Sequence, residues 1–147
     1  MTSHEEWIER CIAMAGANAD AGQMPFASII VRDGEEVARG LNDGKAAMDP
    51  TAHGEIRALQ AAGKKLKQTD LTGCILYTNC EPCPMCLGAV YWSGIKEVYY
   101  GLSIEAQAEF DQLPKYMYEE FQRNKEDREV KVTEIKGKTD SRAPFKK

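Results

Sequence analysis

CILYTNCEPCPMCLGAVYWSGIKEVYY, residues 74–100, decides the fold. Cys74 to Thr78 is a short apolar run bounded by a glycine and polar residues, the pattern of a buried strand. Pro82 to Ser93 reads as a helix, opened by a proline whose missing N–H is harmless there and stopped by Gly94. Glu97 to Tyr100 reads as a second strand. Two strands joined through a helix need a crossover, which favours parallel pairing with helices packed on the faces of the sheet.

Upstream, Trp7, Ile8, Cys11, Ile12 and Ala15 recur at the spacing of one helical face, predicting a helix from about His4 to Ala21. Phe26 to Arg32 and Glu35 to Gly40 flank Asp33-Gly34 and predict a hairpin. A polar loop covers Asn42 to Asp49. His53 to about Ala62 then reads as a helix carrying Ile56 and Leu59, closed by Gly63. Downstream, a helical region between Ser103 and Asn124 is interrupted by Pro114, and Val130 to Ile135 reads as a last strand.

The 147 residues suit a single domain spanning 1–147. With 29% charged and 43% hydrophobic residues, the balance is that of a globular chain rather than a disordered one. No apolar run approaches the roughly 18 residues that span a bilayer. The N-terminus lacks the basic flank and apolar stretch of a secretory signal, so a cytoplasmic location is the default expectation, with no membrane partner. Five cysteines, three of them crowded into residues 80–86, suit metal ligation in a reducing compartment better than a disulfide framework. Cys11 and Cys74 fall in apolar segments and read as small buried hydrophobes. The net charge of −4 divides into +4 from Lys136 onward and −8 before it. An acidic body argues against a polynucleotide partner. Residues 136–147 read as a flexible or partner-contacting tail.

Two clusters carry chemistry. His53-Gly54-Glu55 opens one helix, and Pro82-Cys83-Pro84-Met85-Cys86 opens another. A catalytic zinc takes three protein ligands in a tetrahedron and keeps its fourth position for water, whose pKa it lowers towards about 7. His53, Cys83 and Cys86 make such a set. The two cysteines lie three apart on one helical face at its positive end, where thiolates ionise readily. Glu55, two residues beyond His53, is placed for proton transfer rather than ligation. Two alternatives stand beside this reading. A structural site would recruit Cys80 as a fourth ligand; an iron–sulfur cluster would need another cysteine where Ala89 stands.

His-x-Glu followed by Pro-Cys-x-x-Cys is the signature of zinc-dependent nucleobase deaminases as a class. On these residues the chain resembles the cytidine deaminase-like superfamily. The resemblance implies a three-layer α/β/α fold with a central mixed five-stranded sheet, one Zn2+ per subunit and hydrolytic deamination of an amino-substituted ring. Ile75 to Trp92, together with Asp49-Pro50-Thr51-Ala52-His53, looks most like the short bacterial guanine deaminases. That likeness implies a small-molecule nucleobase substrate, guanine before cytosine, a triazine or a pterin, and a homodimer.

It also implies substrate contacts at Asn42, Phe26 and Trp92. Each has a competing reading. Asn42 offers a donor and an acceptor to a base edge, or is a turn residue before Asp43-Gly44. Phe26 stacks on a ring or fills the core. Trp92 lines the pocket or packs on its helix. Asp111, in Glu109-Phe110-Asp111-Gln112, stands near the place of an acidic residue that reads guanine in that family. The ending Ala143-Pro144-Phe145-Lys146-Lys147 departs from the family's pocket-closing tail, with Phe145 a substitute aromatic or a plain terminus. His53-Gly54-Glu55 has glycine where alanine is commoner. A tRNA adenosine deaminase shares the cysteine motif, but the acidic body disfavours it. A zinc-stabilised binding module without turnover is disfavoured by the intact Glu55.

Overall fold

In the computed structural model, which describes residues 1–147, Asp33 and Gly34 both take positive φ, 52° and 79°. Two left-handed residues in succession make the tight turn whose twist suits antiparallel strands. They join β1 (Ala27–Arg32) to β2 (Glu35–Leu41). The crossover unit also forms: β3 (Ile75–Cys80), the helix α4 (Pro84–Ser93) and β4 (Glu97–Leu102), with β3 and β4 parallel. The strand order is β2-β1-β3-β4, and β1 pairs antiparallel with both neighbours.

The sheet therefore has four strands, and the fifth expected at Val130–Ile135 is absent. Val130, Val132 and Ile135 are exposed and make no ladder. β-branched residues favour extended backbone, but a strand also needs a neighbour's N–H and C=O groups, and residues 130–135 have none. Two helix boundaries differ as well. Gly63 lies inside α3 (Gly54–Leu66), which ends where Lys67 turns left-handed at φ 55°. Pro114 does not interrupt a helix; it sits in the first turn of α6 (Leu113–Gln122), where no N–H is needed.

Helices cover both faces. On one, α1 (His4–Asp20) lays Trp7 and Cys11 over Ile29, Val31 and Tyr77. Its start is fixed by a capping box in which Ser3 and Glu6 satisfy each other's backbone N–H groups. On the other face, Ala58 and Ala62 of α3 and Val90 of α4 pack on Ile30, Leu76, Leu71 and Ile95. The small residues of α3 let its backbone sit close to the sheet. At Gly40 of β2 the approach is so tight that a Cβ would lie 2.2 Å from the Gly54 carbonyl oxygen and 2.3 Å from the Ala58 nitrogen. This contact fixes the start of α3, and with it His53 and Glu55. Two single-turn helices, α2 (Gly44–Ala47) and α5 (Ile104–Gln107), complete the elements near the site.

Candidate active site

Strand polarity gathers the site at one sheet end. Ala27 pairs with Leu41, and Ser28 with Thr78, so the start of β1, the end of β2 and the end of β3 coincide. Phe26, Asn42 and Cys80 follow from that register. α3 and α4 begin at the same end, with His53 and Cys83 each in extended backbone at the N-cap position. Open α/β sheets bind ligands at such edges.

The His53 Nδ1 lies 3.4 Å from Cys86 Sγ and 3.8 Å from Cys83 Sγ. A tetrahedral zinc with bonds of about 2.0–2.3 Å spaces its ligand atoms roughly 3.5 Å apart, so the donor set fits this ion in both chemistry and spacing. The three ligand atoms form a group within 4.8 Å of one another that does not include Cys80. Burial pushes the Cys80 thiol up to about 11, with Glu55 adding to the effect. The fold gathers three ligand atoms, from His53, Cys83 and Cys86, and does not bring Cys80 in as a fourth.

The ligands are electrostatically prepared. A hydrogen bond from Cys86 and a second from His53 hold the Cys83 thiol down at about 4, against the opposing effect of burial. The hydrogen bond to Cys83 raises His53. The pair of thiols thus readily holds one negative charge at the N-terminus of α4, and a divalent cation bound there would favour ionisation of the second thiol. Glu55 is buried in the first turn of α3. Burial pushes its carboxyl above the ordinary range, the charge on Cys83 adds to this, and His53 opposes it. A carboxyl so placed keeps its proton near neutrality more readily than a solvated one, which suits an acid that must also act as a base.

His53, Glu55 and Cys83 line a cavity of about 430 Å³ together with Phe26, Asn42 and Asp111. That volume is in the range of small-molecule sites. Asn42 is buried and its side-chain carbonyl accepts from Gly44 N at 3.1 Å, so it makes the turn, and that bond leaves its amide hydrogens uncommitted on the cavity wall. Phe26 is half-buried on the cavity wall. One oxygen of Asp111 accepts from Leu113 N at 3.0 Å, leaving the other free.

Trp92 is not brought to the cavity. It stands on the outer side of α4, 92% exposed, beside a second groove that includes Leu59, Lys64 and Lys67. α4 is apolar on every side, so periodicity could not tell which face it would bury; Val90 and Ser93 go inward, and Tyr91 and Trp92 face out. Phe145 is likewise exposed, in a terminal turn (Ala143–Lys146) away from the cavity.

Several walls were missed from sequence. Met24 and Met48 border the cavity, and α5 and α6 supply a roof of Gln107, Leu113, Pro114 and Met117. Gln107 donates to the Glu81 carbonyl at 3.0 Å, and Tyr118 donates to the Pro82 carbonyl at 2.6 Å, which pins the roof to the turn that carries Cys83. No local motif marks Gln107 or Tyr118, because their partners are backbone carbonyls distant in sequence.

Comparison with known proteins agrees with this geometry. Residues 1–102 match the model of the cytidine and deoxycytidylate deaminase zinc-binding region. Guanine deaminase of Bacillus subtilis is 40% identical over 135 residues, covering 90% of this chain and 86% of that protein. A probable cytosine deaminase of Schizosaccharomyces pombe is 38% identical over 99 residues, 67% of this chain and 60% of that protein. The crystal structure of the Bacillus subtilis guanine deaminase superposes with a TM-score of 0.91 at 38% identity, covering 98% of this chain and 92% of that one. With a matched family model that ends at the last residue of β4, a shared fold and a donor set of one imidazole and two thiols, the chain belongs to the cytidine and deoxycytidylate deaminase family of zinc proteins.

Proposed function

We propose that this chain is a zinc-dependent hydrolytic deaminase acting on free guanine, with water as co-substrate and xanthine and ammonia as products. The observation that carries the reading is a three-ligand zinc site and a buried carboxyl on the wall of one base-sized cavity. Identity to a guanine deaminase over nine-tenths of the chain supports the choice of base.

Zinc held by His53, Cys83 and Cys86 supplies the Lewis acidity that makes water nucleophilic near neutral pH. The protein does the rest. Asn42, with its carbonyl engaged by Gly44, donates through its amide to an acceptor on the base, and Phe26 offers a ring face. The free oxygen of Asp111 accepts from a ring N–H. Glu55 takes a proton from the attacking water and gives one to the ring nitrogen beside the carbon under attack. It then takes the remaining proton from the newly added hydroxyl and passes it to the departing amine. The water oxygen ends as the product carbonyl, and the nitrogen leaves as ammonia.

Ammonia release measured across guanine, cytosine, adenine and a short tRNA stem tests the substrate. Guanine is expected to be turned over with the highest kcat/KM. Release from another member of the panel, with none from guanine, would overturn the assignment.

The catalytic domain is taken as residues 1–147, and the chain as a homodimer whose partner meets the tail at 136–147. The support for association is the apolar outer side of α4, where Tyr91 is 78% exposed next to Trp92. Because Trp92 lies outside the cavity of its own chain, any part it has in lining a cavity must be at a neighbouring copy. Sedimentation at micromolar concentration is expected to give a dimer, and a monomer there would overturn this arrangement.

A further inference from the structure

We propose that Asn18 is a positioning residue for the substrate, acting through Phe26 and Asn42; the proposal rests on those two residues holding the base. Asn18 is in the last turn of α1, on the face of the sheet opposite α3 and α4, and is only 7% exposed. Its amide nitrogen donates to the Met24 carbonyl at 2.8 Å and to the Asn42 carbonyl at 2.8 Å. The Met24 carbonyl also accepts from Phe26 N at 2.9 Å, and the Phe26 carbonyl accepts from Asn42 N at 3.0 Å. These bonds close a ring, Asn18 to Met24 to Phe26 to Asn42 and back to Asn18. Three of its four members, Met24, Phe26 and Asn42, line the cavity.

The ring needs the chemistry of a primary amide. Two hydrogens on one nitrogen must reach two carbonyls; a hydroxyl carries one hydrogen, and a carboxylate carries none and would face two acceptors. Outside the ring, Asn79 accepts from Ala27 N and donates to the Pro25 carbonyl, both at 2.9 Å. Phe26 is therefore held from both flanks. Without Asn18, the segment bearing Phe26 and the loop bearing Asn42 keep only one backbone bond beyond the Ala27–Leu41 pair that ends the β1–β2 ladder, while the zinc ligands on α3 and α4 keep all their supports.

The test is steady-state kinetics of Asn18→Leu, which keeps the branched heavy-atom skeleton and removes both donors. KM is expected to rise on the order of tenfold with kcat within about threefold, the pattern of lost uniform binding, and zinc content is expected to stay unchanged. Ser93→Ala is the control for stability alone: this buried hydroxyl bonds the Val90 carbonyl and Ile95 N at the far end of α4, and its loss should leave KM at the wild-type value. In an Asn42→Ala background the effect of Asn18→Leu on KM should shrink, because the two act through one network.

An unchanged KM in Asn18→Leu, or an effect that adds in full to that of Asn42→Ala, would overturn the proposal. Should Asn18→Leu not fold, Asn18→Ser retains one donor and is expected to show a smaller rise in KM; a wild-type KM there would also overturn it. The wild type assayed alongside separates the two claims. Failure on guanine sinks the choice of base, and the same KM ratio is then read on the amino-heterocycle that the wild type does turn over.

Discussion

Glu55→Gln is expected to bind zinc at the wild-type level and to release ammonia from guanine roughly 10²- to 10⁴-fold more slowly, the range over which a positioned general acid–base acts. The amide matches the carboxyl in size, so the packing of the first turn of α3 is preserved. It also spares the fold a buried carboxyl, since burial is the largest influence pushing the Glu55 carboxyl up. The melting temperature should therefore hold while turnover falls. Glu55 is the one carboxyl that is both buried and on the cavity wall with His53 and Cys83; Asp49, Glu81 and Asp111, on the same wall, are more exposed. Metal analysis and a coupled ammonia assay on the same preparation check this. A variant with normal rates would remove Glu55 from the mechanism.

Cys86→Ser is expected to lose zinc on dialysis and activity with it. Cys86 is wholly buried in the first turn of α4, with its sulfur within 3.4 Å of His53 Nδ1. Serine nearly matches its shape but offers no thiolate, and losing one ligand of three should weaken zinc binding by at least about a hundredfold. Stability gives an independent readout. An ion that binds only the folded chain stabilises it by mass action, so a chelator should lower the melting temperature of the wild type but leave Cys86→Ser nearly unmoved. Stoichiometric zinc in the variant would show that the ion sits elsewhere.

What the sequence made legible was the part set by short-range spacing. His53 and Glu55 share one helix start, and Cys83 and Cys86 another, so three- and two-residue offsets sufficed to group them within each cluster. The hairpin and the crossover were likewise readable, since Asp33-Gly34 and the strand–helix–strand order dictate pairing locally. The convergence of the two clusters needed the register of β1 with both β2 and β3, which came from the fold. Val130–Ile135 shows the opposite limit: its residues have strand propensity, and only a partner ladder decides whether a strand forms. That Trp92 would stand outside the cavity of its own chain was not legible, because a helix apolar all round does not declare its buried face. Asn18 carried no signal at all, being one polar residue near a helix end whose partners are main-chain carbonyls of Met24 and Asn42.

The close approach of Gly40 to Gly54 and Ala58 bears on how such a scaffold can change its diet. The seat of the helix start that carries His53 and Glu55 is main chain against main chain, with no room for even a methyl group at residue 40. Variation is thus confined to the rim, where residues 44–50 and 111–117 offer side chains that can be exchanged without disturbing the metal. A lineage built on this plan would keep one reaction fixed while trying new rings at the mouth.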